Sequence, residues 1–224
     1  AFRYPLRPIE SGMLIMTGGM EYSWFDTSAV LPNSGQPFPD ELWRIRIGTQ
    51  YIRRFDNGWT GMLGTSIGSS TDRPFGAMRD VLFNVIAVLS VPRNEDDAWN
   101  FFVFYAPTSE IPFPIPGVSY SWNPNESLKI NLGVPTSVSY RPTDRVTFEA
   151  SYMLLRTVHV QASYDVHERV SIYGAFDWAN ESWFLSDRTN DEERLFSYDK
   201  RLLLGIRSRH GNHLAIDLST GYAF

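Results

Sequence analysis

The sequence predicts an all-β protein, an antiparallel transmembrane β-barrel of about 12 to 14 strands. Apolar and polar residues alternate with a period of two along most of the chain, which is the pattern of strands, and helical periodicity is almost absent. Short clusters of Gly, Pro, Asn and Asp separate the alternating runs, as turns do. Six of the seven tryptophans lie near the ends of these runs. Together these three features favour strands that cross a bilayer.

The amino-acid composition limits the classes of function that the protein can have. The 224 residues suit one domain over 1–224, and the absence of cysteine excludes disulfides and thiol chemistry. The net charge of −5 indicates no broad basic surface, so no nucleic-acid partner is expected. No run approaches the ~18 to 20 apolar residues of a membrane-spanning helix. No signal segment opens the chain, and residues 1–10 read like the middle of a protein, which is typical of a processed or truncated form.

The first runs alternate clearly. In each run the residues of one parity, that is, at every second position, are apolar and those between them are polar. Each run therefore predicts a strand with two different faces. Two later runs, 81–91 and 99–105, are apolar on both faces. This fits strands in a more tightly packed part of the barrel wall, or strands whose inner face is covered by a segment inside the barrel. The apolar sets of the first three runs are Leu14, Met16, Gly18, Met20, Tyr22 and Trp24; Trp43, Ile45, Ile47, Thr49 and Tyr51; and Trp59, Leu63 and Ile67.

The C-terminal half continues the pattern, and turn signals separate its runs. Long connections at 26–40, 70–79, 109–116 and 185–193 largely alternate with short ones, as they do in outer-membrane barrels. The short connections are predicted at 56–58, 94–97, 123–125, 141–144, 166–168 and 210–212. The apolar sets of two late runs are Val158, Val160, Ala162 and Tyr164, and Leu214, Ile216, Leu218, Tyr222 and Phe224.

Strand parity raises a question. The runs give about 13 strand candidates, whereas bacterial single-chain barrels have even numbers. If 146–165 is counted as one long strand, the number of strands becomes even. The long connection 185–193 would then lie at the end of the barrel where the other connections are short turns. We therefore favour a further strand, either after Phe224 or at residues 2–9.

The positions of aromatic residues distinguish a membrane barrel from a soluble β-sandwich. Tryptophan prefers the interface of a bilayer, so tryptophans at both strand ends predict two aromatic girdles. In a sandwich, aromatic residues at strand ends would instead cover the ends of a soluble core. Trp183 also lies near a strand end but has the opposite parity, and Trp178 lies inside a strand. The predicted interface aromatics are Trp24, Trp43, Trp59, Trp99, Trp122, Tyr222 and Phe224.

Charges of both signs share the polar parity of the strands. Inside a barrel they would pair across a wet lumen, whereas on a sandwich they would form an ordinary solvated face. From this set Arg44, Arg46, Glu149, Arg207 and Asp217 are predicted to line a pore. The whole set is Glu21, Arg44, Arg46, Lys129, Glu149, Asp165, Asp177, Arg201, Arg207 and Asp217.

The sequence contains few candidates for catalysis. His159 shares a face with Ser163 and Asp165, but residues four apart on a strand are ~13 Å apart, so no triad forms within that strand. A neighbouring strand could supply a serine such as Ser151, and outer-membrane acyl hydrolases do use serine and histidine on a barrel wall. The carboxylates that could pair for glycoside hydrolysis share their face with arginines, which favours salt bridges.

Metal-binding patterns are weak. His210 and His213 flank a turn, and an acidic loop contains Asp187, Asp191, Glu192 and Glu193. A solvated turn and a solvated loop are the favoured interpretations, since the regular spacing and glycine of a calcium loop are missing. We expect no cofactor, no metal and no catalytic residue.

The end of the chain resembles the C-terminal strand of bacterial outer-membrane proteins. Its alternate apolar residues end at Tyr222 and the aromatic Phe224, the pattern that the insertion machinery of such proteins reads. More widely, segments 112–122, 133–141 and 200–207 are similar to an uncharacterised group of bacterial outer-membrane β-barrel proteins, a domain of unknown function. The resemblance implies a Gram-negative outer-membrane location and carries no activity.

Three functions follow as hypotheses. The first is a small, porin-like passive pore or a structural barrel in contact with outer-membrane lipid. The second is a non-conducting scaffold that binds other envelope proteins through the proline-rich loops 27–40 and 109–116. The third is a soluble β-sandwich that acts as a binding module or hydrolase, which would dissolve without detergent.

Overall fold

The structure, a computed structural model, describes residues 2–9, 12–31, 35–108, 111–153, 157–186, 194–210 and 214–224. They form one antiparallel sheet of 14 strands in which each strand pairs with the next along the chain. The strands are β1 Phe2–Ile9, β2 Gly12–Trp24, β3 Glu41–Arg54, β4 Thr60–Thr71, β5 Val81–Pro92, β6 Asp97–Tyr105, β7 Ile115–Asn125, β8 Leu128–Gly133, β9 Thr136–Thr143, β10 Val146–Met153, β11 Thr157–His167, β12 Val170–Trp183, β13 Leu195–His210 and β14 Leu214–Ala223. A 3-10 turn at Met78–Asp80 precedes β5.

The described residues form an even number of strands. They form 14, at the upper end of the predicted range, and the one overlooked among the candidates is β1 at Phe2–Ile9. The alternative that merged 146–165 into one strand is wrong, because β10 and β11 are separate strands that pair antiparallel from Val146↔Tyr164 to Met153↔Thr157.

The connections divide into two rims. Each connection from an odd-numbered strand to the next, even-numbered strand is short, as expected for hairpins. These connections lie at one end of the sheet, which we call the short-turn rim. The opposite, long-loop rim carries 25–40, 72–80, 106–114 and 184–194, together with the shorter 134–135 and 154–156. The predicted alternation of long and short connections is therefore confirmed, apart from those last two.

The two faces of the sheet differ in polarity. One face is apolar and exposed, with Leu204 and Leu218 at 69% and 75% relative exposure. The other face carries the charges. The described residues form a single sheet, so no second sheet covers the apolar face, as one would in a β-sandwich.

The sheet is rolled with its polar face inside. In a flat sheet β4 and β12 would lie about 38 Å apart, at ~4.8 Å per strand. Instead Thr71 forms a bridge to Phe184, and the Phe184 amide donates to the Ser70 carbonyl at 2.9 Å. The sheet is not closed into a barrel, since the described parts of β1 and β14 pair only with β2 and β13. No helix among the described residues is long and apolar enough to cross a membrane.

Candidate functional site

The inner face carries all ten charges that share the polar parity in the sequence. Partners in antiparallel strands share a face, and the register connects the ten through pairs such as Glu21↔Arg44, Asp177↔Arg201 and Arg207↔Asp217. Of the five predicted pore-lining residues, only Arg207 and Asp217 contact each other. Arg44, Arg46 and Glu149 lie elsewhere on the same face.

Arg44 is the centre of the strongest contacts on this face. Its guanidinium donates to the carboxylates of Glu21 and Glu181, both at 2.9 Å, and to the Ser70 hydroxyl at 3.1 Å. It also lies over the Trp183 ring, 4.2 Å from the centroid. Charge-assisted hydrogen bonds of this kind are about twice as strong as neutral ones. One side chain on β3 therefore ties β2, β4 and β12 together.

The network continues onto β13. Arg201 lies 3.9 Å from the second carboxylate oxygen of Glu181 and donates to Asp199 at 2.8 Å. We call Glu21, Arg44, Glu181, Asp199 and Arg201 the inner charge cluster. Sequence reasoning missed Glu181 and Asp199, although Glu181 has the same strand parity as Asp177.

Packed residues lie beside this cluster at the long-loop rim. Trp183 and Leu42 are 3% and 2% exposed, Thr71 is fully buried, and Phe184 is buried beside them. Asp72 accepts from the amide and the hydroxyl of Ser186 at 2.7 and 2.5 Å. These contacts join the ends of β4 and β12, which lie eight positions apart in the strand order. The loop-rim core comprises Leu42, Ser70, Thr71, Asp72, Trp183, Phe184 and Ser186.

A second ion pair lies between the last two strands. The Arg207 guanidinium donates to Asp217 at 2.8 Å, and the Tyr173 hydroxyl donates to the same carboxylate at 2.6 Å. This pair holds β14 to β13 on the inner face, next to the open edge of the sheet.

A row of polar residues crosses the inner face from β7 to β13. Each member is the register partner of the next, so the row runs directly across the strands. It includes a contact between His159 Nδ1 and a carboxylate oxygen of Asp177. A cavity of about 400 Å³ lies over part of the row. The polar row is Ser121, Asn131, Ser137, Ser151, His159, Asp177 and Arg201.

The predicted interface aromatics lie at the two rims and are partly or largely exposed. Trp24, Trp43, Tyr222 and Phe224 are on the outer parity at the long-loop rim. At the short-turn rim Trp99 and Trp122 have the outer parity and Trp59 directly precedes β4.

Trp178 and Trp183 complete the tryptophan set. Trp178 faces outward inside β12, as its sequence position indicated. Trp183, the tryptophan of opposite parity, is buried against Arg44 on the inner side, so it does not belong to an outer girdle.

Several further sequence candidates lie partly or wholly outside the described residues. These include His213, the acidic residues of 187–193, and parts of loops 27–40 and 109–116. In the described part of the first loop, Val30 bridges Pro37 and Phe25 packs on Phe38 at 5.2 Å. Within the described ranges, no group of three or more His, Cys, Asp or Glu side chains is placed to hold a metal ion.

Comparison with known proteins gives a family without an activity. A family model described as a domain of unknown function, DUF6268, matches residues 12–224. Among the curated proteins none matches the chain. This match agrees with the expectation of an uncharacterised family, and the family description gives neither a barrel nor a membrane location.

Proposed function

The chain belongs to the DUF6268 family, and we propose that it is a transmembrane β-barrel of a bacterial outer membrane that forms a narrow passive pore for small polar solutes. The observation that carries this proposal is the orientation of the sheet: large apolar side chains face outward and charged side chains face inward. A membrane barrel has this polarity, whereas a protein in water has the reverse.

The exposed apolar surface supports lipid as the surrounding solvent. Outward side chains along the strands include Ile67, Phe101, Leu204, Ile206 and Leu218, all exposed. Soluble monomers rarely expose apolar patches larger than a few hundred Å², and each exposed Å² costs about 25 cal/mol in water. In hydrocarbon the same surface is favourable, and the aromatic residues of the two rims then lie at the two interfaces.

Closure of the sheet follows from the same proposal. With an even number of strands in sequential antiparallel order, β1 and β14 run antiparallel to each other. An unpaired strand edge in hydrocarbon leaves amides and carbonyls unsatisfied, at several kcal/mol each. We therefore propose that β1 and β14 pair in the membrane and complete the barrel.

The inner charge cluster forms the proposed constriction. Barrels of about eight strands are filled by side chains, while those of about 16 leave an aqueous channel. In a barrel of 14 strands, the Arg44–Glu181 contact and the loop-rim core narrow the path at the long-loop side. Arg46, which is exposed on the inner face between Gly19 and Gly68, would then contribute to ion selectivity, as charged rings do in pores.

The location is tested by fractionation of the full chain. We expect the protein to stay in the outer-membrane pellet until detergent is added, and unheated samples to migrate faster on a gel than boiled ones. A chain that dissolves as a monomer without detergent would refute the membrane proposal and return the soluble sandwich-like alternatives.

The loop-rim core favours a second candidate function, a barrel whose interior is blocked and that acts as a scaffold for other envelope proteins. Conduction distinguishes the two candidates and is measured in planar bilayers. Small, reproducible current steps from the purified protein support the pore. A folded, heat-modifiable protein that never conducts and that co-purifies with a stoichiometric partner supports the scaffold.

A further inference from the structure

The polar row contains an Asp–His–Ser arrangement on three neighbouring strands, and we propose that it is a hydrolytic site for small polar esters. Asp177 on β12, His159 on β11 and Ser151 on β10 are consecutive register partners on the inner face. Directly paired side chains have Cβ atoms ~4.5 to 5.5 Å apart. The three residue types of a serine hydrolase therefore lie in their working order.

The contact between Asp177 and His159 selects the ring nitrogen that such a site needs. A carboxylate oxygen of Asp177 contacts Nδ1 of His159. A carboxylate on Nδ1 places the proton there and leaves Nε2 as the base. In this structure Ser151 and His159 are register partners that line one cavity without a hydrogen bond between them, and such bonds often tighten only when substrate is bound.

The cavity beside Ser151 has room for a substrate and indicates its chemistry. It measures about 400 Å³, and Ser151 and His159 line it together with Ser137, Ser139, Lys129 and Glu149, while Ile130, Val138 and Ala150 add apolar surface. The polar groups can bind the hydroxyl-rich alcohol part of an ester, and the apolar residues can contact a short acyl group. The expected substrate class is a short-chain ester of a hydroxyl-rich alcohol.

The reaction balances without any further reactant. The Ser151 oxygen attacks the ester carbonyl while His159 takes the hydroxyl proton, and the alkoxide leaves with that proton. Water then attacks the acyl-serine while His159 accepts a proton from it. As the bond between the acyl carbon and the Ser151 oxygen breaks, His159 returns that proton to the Ser151 oxygen, which releases the acid and regenerates Ser151 and neutral His159. Ser151 and His159 are the proposed catalytic residues, and Asp177 is a positioning residue.

Covalent labelling tests the nucleophile without depending on the natural substrate. The purified full chain, confirmed as folded by the β-sheet signal of its circular dichroism spectrum, is treated with a fluorophosphonate and mapped by mass spectrometry. We expect one adduct, on Ser151, which is lost in H159A. Ser163→Ala is the matched control, because Ser163 lies on β11 with the same parity as His159 but does not line the cavity; it should keep the label. An unlabelled Ser151, or equal labelling in H159A, would overturn the proposal.

Turnover of p-nitrophenyl acetate is the second measurement. We expect S151A and H159A to lose at least 10²-fold in kcat/KM, and D177A to lose a similar factor that D177E partly restores. Unchanged hydrolysis in S151A, or D177E no better than D177A, would contradict the assigned roles.

The proposed site does not depend on membrane insertion. A protein that is soluble but labelled at Ser151 would refute the pore alone, and a protein that conducts but stays unlabelled would refute the site alone.

Discussion

Arg44 and Glu181 form an ion pair of 2.9 Å, although their strands are nine positions apart in the sheet. A flat sheet would separate β3 and β12 by about 43 Å at ~4.8 Å per strand. The pair therefore depends on the rolling of the sheet, and it joins inner-face residues from its two ends. Because Arg44 also contacts Glu21 and Trp183, its loss should release several contacts at once.

Removal of the Arg44 side chain should widen the proposed constriction. We expect R44A to increase single-channel conductance by about two-fold or more, because Glu181 and Trp183 lose the group that contacts both of them on the inner face. Arg54→Ala is the matched control: it removes the same charge from the same strand and parity but at the short-turn end. Equal conductance in wild type and R44A would argue against a constriction at this cluster.

Charge reversal at Arg46 should change ion preference. Arg46 is exposed on the inner face, so R46E replaces a fixed positive charge in the proposed lumen with a negative one. The reversal potential in a salt gradient should shift toward cations, and the combined R44E/R46E variant should shift further. Arg145→Glu, in the 144–145 connection of the short-turn rim, is the control. A reversal potential identical to wild type would place Arg46 outside the conducting path.

The Asp72–Ser186 contact should stabilise the long-loop rim. Asp72 accepts two hydrogen bonds from Ser186, and weakening them in D72N should lower the free energy of unfolding by about 1 to 3 kcal/mol. The measurement is the temperature at which the fast-migrating gel band disappears. Asp56→Asn, an exposed aspartate in a short turn, should leave that temperature unchanged, and an unchanged value in D72N as well would mean that the rim contact contributes little.

Closure between β1 and β14 is testable with cysteines, since the chain contains none. Tyr4 is on the outer parity of β1. Leu218, Thr220 and Tyr222 are on the outer parity of β14, and Phe224 follows that strand directly with the same parity. We expect Y4C to form a disulfide with a cysteine at one of these four positions in membranes. Phe148→Cys, an outward position on β10, should not react. Absence of a bond across all four pairs would contradict closure between these edges.

Brominated lipids should separate the tryptophans by depth. In single-tryptophan variants, those at the rims, such as Trp24 and Trp99, should be quenched most by bromine near the headgroups, and Trp178 by bromine deep in the acyl chains. Trp183 is buried on the inner side and should resist both. Uniform quenching, or none, would mean that the outer aromatic residues do not form two girdles.

Local pattern alone was sufficient for much of this fold. Period-two alternation in runs such as 43–51 and 158–164 predicted strands with one polar face, because successive side chains of a strand point to opposite faces. The turn residues predicted the short rim. The first strand was missed as a definite element because Phe2–Ile9 contains two prolines and alternates poorly, and prolines usually indicate the edge of a sheet. As the edge strand β1, it pairs with β2 alone.

The sequence by itself determined the all-β antiparallel class, the charges of the inner face and the aromatic residues of the rims, since each depends on residue type and parity along one strand. Only the tertiary structure decided which residues meet. The Arg44–Glu181 pair needs the roll of the whole sheet, and the Asp177–His159–Ser151 row needs the register of three strands. A one-residue slip in that register would move each of these side chains to the other face, so their encounter depends on pairing that no single run of sequence specifies.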